Sequence, residues 1–124
     1  MSGRLGKRYP DYVTQETLPL EITVDDLKSR IASGNAPLLL DVREPWEYQA
    51  AHLPDTMLMP MNEVPSRAFN ELDEEQPIAV LCHHGARSLS VANWLRQQGF
   101  TKAQSVAGGI DLWSRVIDPA VPRY

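Results

Sequence analysis

The stretch Pro77-Ile78-Ala79-Val80-Leu81-Cys82-His83-His84-Gly85-Ala86-Arg87-Ser88 decides the architecture. Its first five residues form a short, unbroken apolar run, the pattern of a buried strand. After Ser88, Leu89, Ala92 and Leu95 recur at near-helical spacing, and Gly99 stands where a helix C-cap belongs. The only cysteine therefore sits in a tight turn between a strand's carboxyl end and a helix's amino end. The first amides of a helix have no intrahelical acceptors, and the macrodipole adds partial positive charge there. A loop so placed holds anions on backbone N–H groups. Gly85 permits the turn, and Arg87 adds a fixed positive charge that favours the thiolate, the nucleophilic form of Cys82.

Working outward, strand and helix signals alternate along the whole chain. Leu20 to Ile22 reads as a short strand. Thr23 is an N-cap with Asp25 and Asp26 in the first turn, Val24, Leu27 and Ile31 share one helical face, and Gly34 closes the helix. Leu38 to Val42 is a continuous apolar run broken only by Asp41, which predicts a central strand covered on both faces. Arg43 and Glu44 follow it, and Pro45 suits the first turn of a short helix. Met57 to Met59 reads as a third strand. Asn62 is a candidate cap for a helix running toward Leu72, and Asp73-Glu74-Glu75 is an acidic turn. Gln104 to Ala107 reads as a last strand. After Gly108-Gly109, Ile110, Trp113 and Ile117 form a stripe suited to packing on a sheet. This alternation predicts an α/β fold, with a central, mostly parallel sheet of about five strands flanked by helices. Ligands of such sheets bind outside the strands' carboxyl ends, where Cys82, Asp41 and Arg43 all lie.

The 124 residues amount to one domain by length. We divide them into an N-terminal arm, residues 1–18, and a folded domain, residues 19–124. The arm is polar, basic and interrupted by Pro10. It reads as a poorly ordered terminus or as a segment pinned by Tyr9, Tyr12 and Val13. A net charge of −4 gives no reason to expect nucleic acid or an anionic membrane as partner, and no apolar run approaches a membrane span. Met1 to Tyr9 lacks the apolar core of a secretory signal, so a cytoplasmic setting is expected. A single cysteine excludes an internal disulfide and a CxxC redox pair. Whatever resolves a modified Cys82 must then come from another molecule.

Three separated motifs resemble the rhodanese-like sulfurtransferases. They are Asp41-Val42-Arg43-Glu44 with Glu47-Tyr48 and His52-Leu53-Pro54, then the Cys82–Ser88 loop, then Gly108-Gly109-x-x-x-Trp113. Ala51 stands where that family often has glycine, and Asp55-Thr56 where a Gly-Ala pair commonly follows the proline. The resemblance covers most of residues 20–117 and implies the parallel-sheet fold. It also implies a mechanism. The Cys82 thiolate takes a sulfane sulfur from a donor such as thiosulfate or a persulfide and passes it to cyanide, a small thiol or a protein cysteine, with no metal or organic cofactor. Cys82 and Arg87 would be catalytic, and His83, His84, Gly85, Ala86 and Ser88 would bind substrate.

Four residues separate Cys82 from Arg87. Cysteine phosphatases of related architecture have a loop one residue longer, so the resemblance favours sulfur over phosphate as cargo. A persulfide carrier or interaction module with little small-molecule turnover is the alternative, and a cysteine phosphatase or arsenate reductase a third. His83 and His84 either attract an anionic donor when partly protonated or only shape the pocket. Neighbours in a tight turn seldom converge on one ion, which argues against a metal there. Asp41 and Arg43 are secondary site candidates that read more simply as a structural ion pair. His52 reads as a hydrogen-bonded structural residue, Trp46, Trp94 and Trp113 as packing residues, and Met57, Met59 and Met61 as one alternating strand face.

Overall fold

The computed structural model describes residues 17–124. The expectations for the arm's Tyr9, Tyr12 and Val13, and for the start at Met1 to Tyr9, concern positions outside these residues. Chain order is β1 (Glu21–Ile22), α1 (Val24–Ala32), β2 (Leu38–Asp41), α2 (Pro45–Ala50), β3 (Thr56–Leu58), a 3-10 turn (Met61–Glu63), α3 (Val64–Glu71), β4 (Ile78–Leu81), α4 (Ala86–Gln97), β5 (Ala103–Val106) and α5 (Gly109–Val116). The five strands form one sheet in the order β1-β5-β4-β2-β3, with every pairing parallel. This is the α/β sheet the alternation predicts.

The all-apolar run of β4 is buried throughout, as a central parallel strand requires. Alternation then sorts side chains to two layers. Leu40, Val42, Val80 and Cys82 face a core with Ala68 of α3 and Val91, Ala92 and Leu95 of α4. Leu39, Ala79 and Leu81 face the opposite core with Leu27 of α1 and Ile110 and Trp113 of α5. The edge strands β1 and β3 are the shortest, which limits exposed pairing groups.

Local chemistry sets the helix ends. Thr23 Oγ1 accepts the Asp26 amide at 3.1 Å, an N-cap contributing about 1 kcal/mol. Asn62 does not cap α3. It lies inside the 3-10 turn, whose own backbone bonds start the helix, and Glu63 occupies the cap position without a side-chain bond. Met57 belongs to β3, whereas Met59 and Met61 lie beyond it, so the three methionines do not share one strand face. Asp55 adopts φ 60°, a conformation glycine takes freely. Asp tolerates the left-handed region better than most residues do, which suits it to this position.

The strand order creates the crevice. The chain leaves β2 toward β3 on one side, while it leaves the adjacent β4 toward β5 on the other. Outgoing connections diverge there and open a gap at the strands' carboxyl ends. Leu81 pairs with Asp41, so the residues that follow, Cys82 and Arg43, enter this gap from neighbouring strands.

Candidate active site

Cys82 is 1% exposed and lies at the base of the loop. Its Sγ accepts the Gly85 amide at 3.1 Å and the Ser88 amide at 3.2 Å. The Ser88 hydroxyl lies 3.4 Å from the sulfur and 2.7 Å from the Ser105 hydroxyl of β5. No acceptor among the described residues takes the amides of His83, His84, Ala86 or Arg87. Gly85 holds φ 109°, which lets the chain turn from loop into α4 with its N–H directed inward.

The loop's carbonyls are held from behind. Ile110 and Asp111 in the first turn of α5 donate their amides to the Cys82 and His83 carbonyls at 2.9 and 3.1 Å. One helix start therefore absorbs two of the loop's carbonyls and leaves loop donors for the sulfur. Gly109 makes this approach possible. A Cβ there would fall 2.4 Å from the His83 carbonyl oxygen and 2.5 Å from that of Cys82. The Gly108-Gly109 motif is thus part of the site's scaffold.

Arg87, the fixed positive charge of the loop, is paired with a carboxylate. Its Nη1 and Nη2 donate to Glu47 Oε1 and Oε2 at 2.7 and 3.0 Å. The pair holds the Glu47 carboxyl down at about 2, with burial opposing the shift, and raises Arg87 further. The guanidinium thus ties the loop to α2, and the Glu47 carboxylate largely offsets its charge. Glu47 also accepts the Glu44 amide at 2.9 Å. Sequence reasoning missed Glu47 as a site residue, since a glutamate at the third position of a helix reads as a capping device.

Asp41 and Arg43 are fully buried and pair with each other at 2.7 Å. Arg43 also donates to the Ala51 carbonyl at 2.7 Å and the Tyr124 hydroxyl at 2.8 Å. They form a brace beneath α2, and Tyr124 and Glu47 connect them to the loop. Tyr124 donates to Glu47 Oε2 at 2.8 Å, and burial pushes its phenol up to about 12, so it stays a donor at ordinary pH.

His83 stacks on Tyr124 with ring centroids 4.2 Å apart and planes 12° apart. His84 stacks on the other face of the pair, 3.9 Å from the His83 centroid. Burial, then the neighbouring His84, push the His83 pKa down, which works against the partly protonated reading for that residue. The two histidines and Asp111 bring ligand-type atoms within 4.8 Å of one another, so the expectation that loop neighbours stay apart is not met. Asp111 is already engaged by Arg123 at 3.0 Å and Arg115 at 3.5 Å. Trp46 corrects another expectation. It is 65% exposed and contacts Tyr124 edge-on at 6.0 Å, so it rims the site and leaves the core to others. His52 donates from Nδ1 to the Tyr48 carbonyl at 2.9 Å.

A family model described as Rhodanese-like domain matches residues 23–116. The chain belongs to this family. It is 36% identical over 110 residues to the chloroplastic Rhodanese-like/PpiC domain-containing protein 12 of Arabidopsis thaliana, covering 84% of this chain and 37% of that protein. It is 34% identical over 95 residues to a sulfurtransferase of Allochromatium vinosum, covering 77% of this chain and 88% of that protein. Among solved structures, a rhodanese-related protein from Thermoplasma volcanium superposes with a TM-score of 0.72 at 31% identity, covering 84% of this chain and 98% of that one. The chain spans 37% and 50% of the first two curated relatives it matches. No helix among the described residues is long and apolar enough to cross a membrane.

Proposed function

We propose that this chain is a sulfurtransferase that carries a sulfane sulfur on Cys82. The observation that carries the reading is the loop itself: a lone cysteine sulfur held by the Gly85 and Ser88 amides, with further loop amides unclaimed by other acceptors. Such a cradle suits one added sulfur bearing negative charge. The Allochromatium relative's name supports the same chemistry.

With thiosulfate as donor, the Cys82 thiolate attacks the outer sulfur. The new S–S bond forms as the old one breaks, and sulfite leaves with the bonding pair. The Cys82 persulfide anion rests on the loop N–H groups. Cyanide or a thiolate then attacks the terminal sulfur, the S–S pair returns to Cys82 as thiolate, and thiocyanate or a new persulfide departs. Every step balances without a metal, an oxidant or a cofactor. Arg87 holds the loop through Glu47, and His83 and His84 shape the mouth. A free thiol with this duty belongs in a reducing compartment, which favours a cytoplasmic setting.

Intact-mass analysis after incubation with thiosulfate tests the reading. Wild type should gain the mass of about one sulfur atom, and Cys82→Ser none. An unmodified wild type, with thiosulfate and with a small persulfide donor, would sink it. Loading followed by discharge only to a protein thiol would favour the carrier alternative.

A further inference from the structure

The residues after α5 lie beyond the span that matches the family, yet they reach the active-site loop. The Asp118 amide donates to the Trp113 carbonyl at 3.0 Å, and Asp118 Oδ1 accepts the Ala120 amide at 3.0 Å. Val121 is buried in the α1/α5 core, and its carbonyl accepts the Ser114 hydroxyl. The anchored segment then delivers Arg123 to Asp111 and Tyr124 to the loop mouth.

Tyr124 is held there from four sides. Its ring stacks on His83, Trp46 meets it edge-on, and the Arg43 guanidinium carbon lies 5.5 Å from its centroid. Its hydroxyl bridges Arg43 and Glu47 at 2.8 Å each. Side chains fixed by both stacking and hydrogen bonds do not swing aside to admit a ligand without losing those contacts. Tyr124 remains 36% exposed, so part of it faces solvent, whereas Cys82 is almost wholly covered.

We propose that Tyr124 is a specificity-determining residue whose ring, stacked on His83, walls one side of the approach to the Cys82 persulfide and selects small acceptors over bulky ones. This rests on the sulfur-transfer reading above. Cyanide passes such a wall, whereas a branched or peptide thiol meets the Tyr124–His83 stack before its sulfur reaches the terminal sulfur of Cys82. A pocket wall discriminates through the contacts and clashes it offers, so the effect resides in the ring, not in the hydroxyl.

The test uses persulfide-loaded wild type, Tyr124→Phe and Tyr124→Ala, with loading verified by mass. Single-turnover discharge is timed with cyanide and with glutathione as the bulky thiol. Tyr124→Ala should raise the glutathione-to-cyanide rate ratio about tenfold, and Tyr124→Phe should hold it within about twofold of wild type. An unchanged ratio in a folded Tyr124→Ala overturns the wall, as does an equal shift in both variants, which would assign the effect to the hydroxyl. The His83 ring proton resonances give a check that needs no turnover. They should move in Tyr124→Ala and stay in Tyr124→Phe, and no movement in Tyr124→Ala overturns the stack. Failure of wild type to load would overturn the sulfur-transfer reading itself, a result distinct from normal loading with an unchanged ratio.

Discussion

Glu47 and Arg87 stand 40 residues apart in the chain and share two hydrogen bonds, at 2.7 and 3.0 Å. Paired bonds between a planar guanidinium and a carboxylate fix orientation as well as distance. The pair joins the start of α2 to the start of α4 across the crevice, so it sets the shape of the loop around Cys82.

Removing the charge of Glu47 should therefore act at a distance on the sulfur. Glu47→Gln leaves Arg87 without a carboxylate, and we expect persulfide loading from thiosulfate to slow roughly tenfold through loop misplacement. Stability should fall by about 2 kcal/mol, read by thermal melting. A time course of intact mass that matches wild type would show that the pair does not position the loop.

Arg87→Ala should slow loading more, by about a hundredfold, while the protein stays folded. Arg87→Lys should recover little of this, because an ammonium cannot reproduce the two-bond geometry. Normal loading by a folded Arg87→Ala protein would remove Arg87 from the mechanism.

The pair also predicts a pH dependence. Arg87 holds the Glu47 carboxyl at about 2, below its ordinary value of 4.5. A carboxyl depressed by folding stabilises fully above its ordinary value, and that stability is lost as pH falls through the folded value. Wild type should thus lose melting temperature between about pH 4.5 and 2, and Glu47→Gln should lose less over the same window. Parallel melting profiles for the two proteins would count against the pair as the source.

Gly109→Ala should be among the most damaging single-methyl changes. The added carbon would press on the Cys82 and His83 carbonyls at a residue with φ 63°. We expect a loss of about 3 kcal/mol, together with loss of the α5 amide bonds to the loop. Near-wild-type melting and loading would show that α5 yields more readily than its packing indicates.

Much of the fold was legible because its causes are local. Apolar runs at Leu38–Leu40 and Ile78–Leu81, Pro45 at a helix start and Thr23 as cap each act through a few neighbouring residues. Asn62 misled because a polar residue before a helix signals a cap only when the backbone leaves an amide for it, and here a 3-10 turn intervenes. Trp46 misled because an aromatic side chain carries no mark of whether it is covered.

The sequence by itself determined the strand–loop–helix around Cys82 and the four-residue spacing to Arg87. These depend on residue identity and short-range geometry, which periodicity and spacing express directly. Only the tertiary structure decided that Glu47 neutralises Arg87, that the α5 amides hold the loop's carbonyls, and that Tyr124 covers His83. Those contacts join residues from separate elements, and their partners are chosen by sheet order and by the path of the chain after α5. No local pattern encodes them, because each arises only when the fold brings distant side chains to the same crevice.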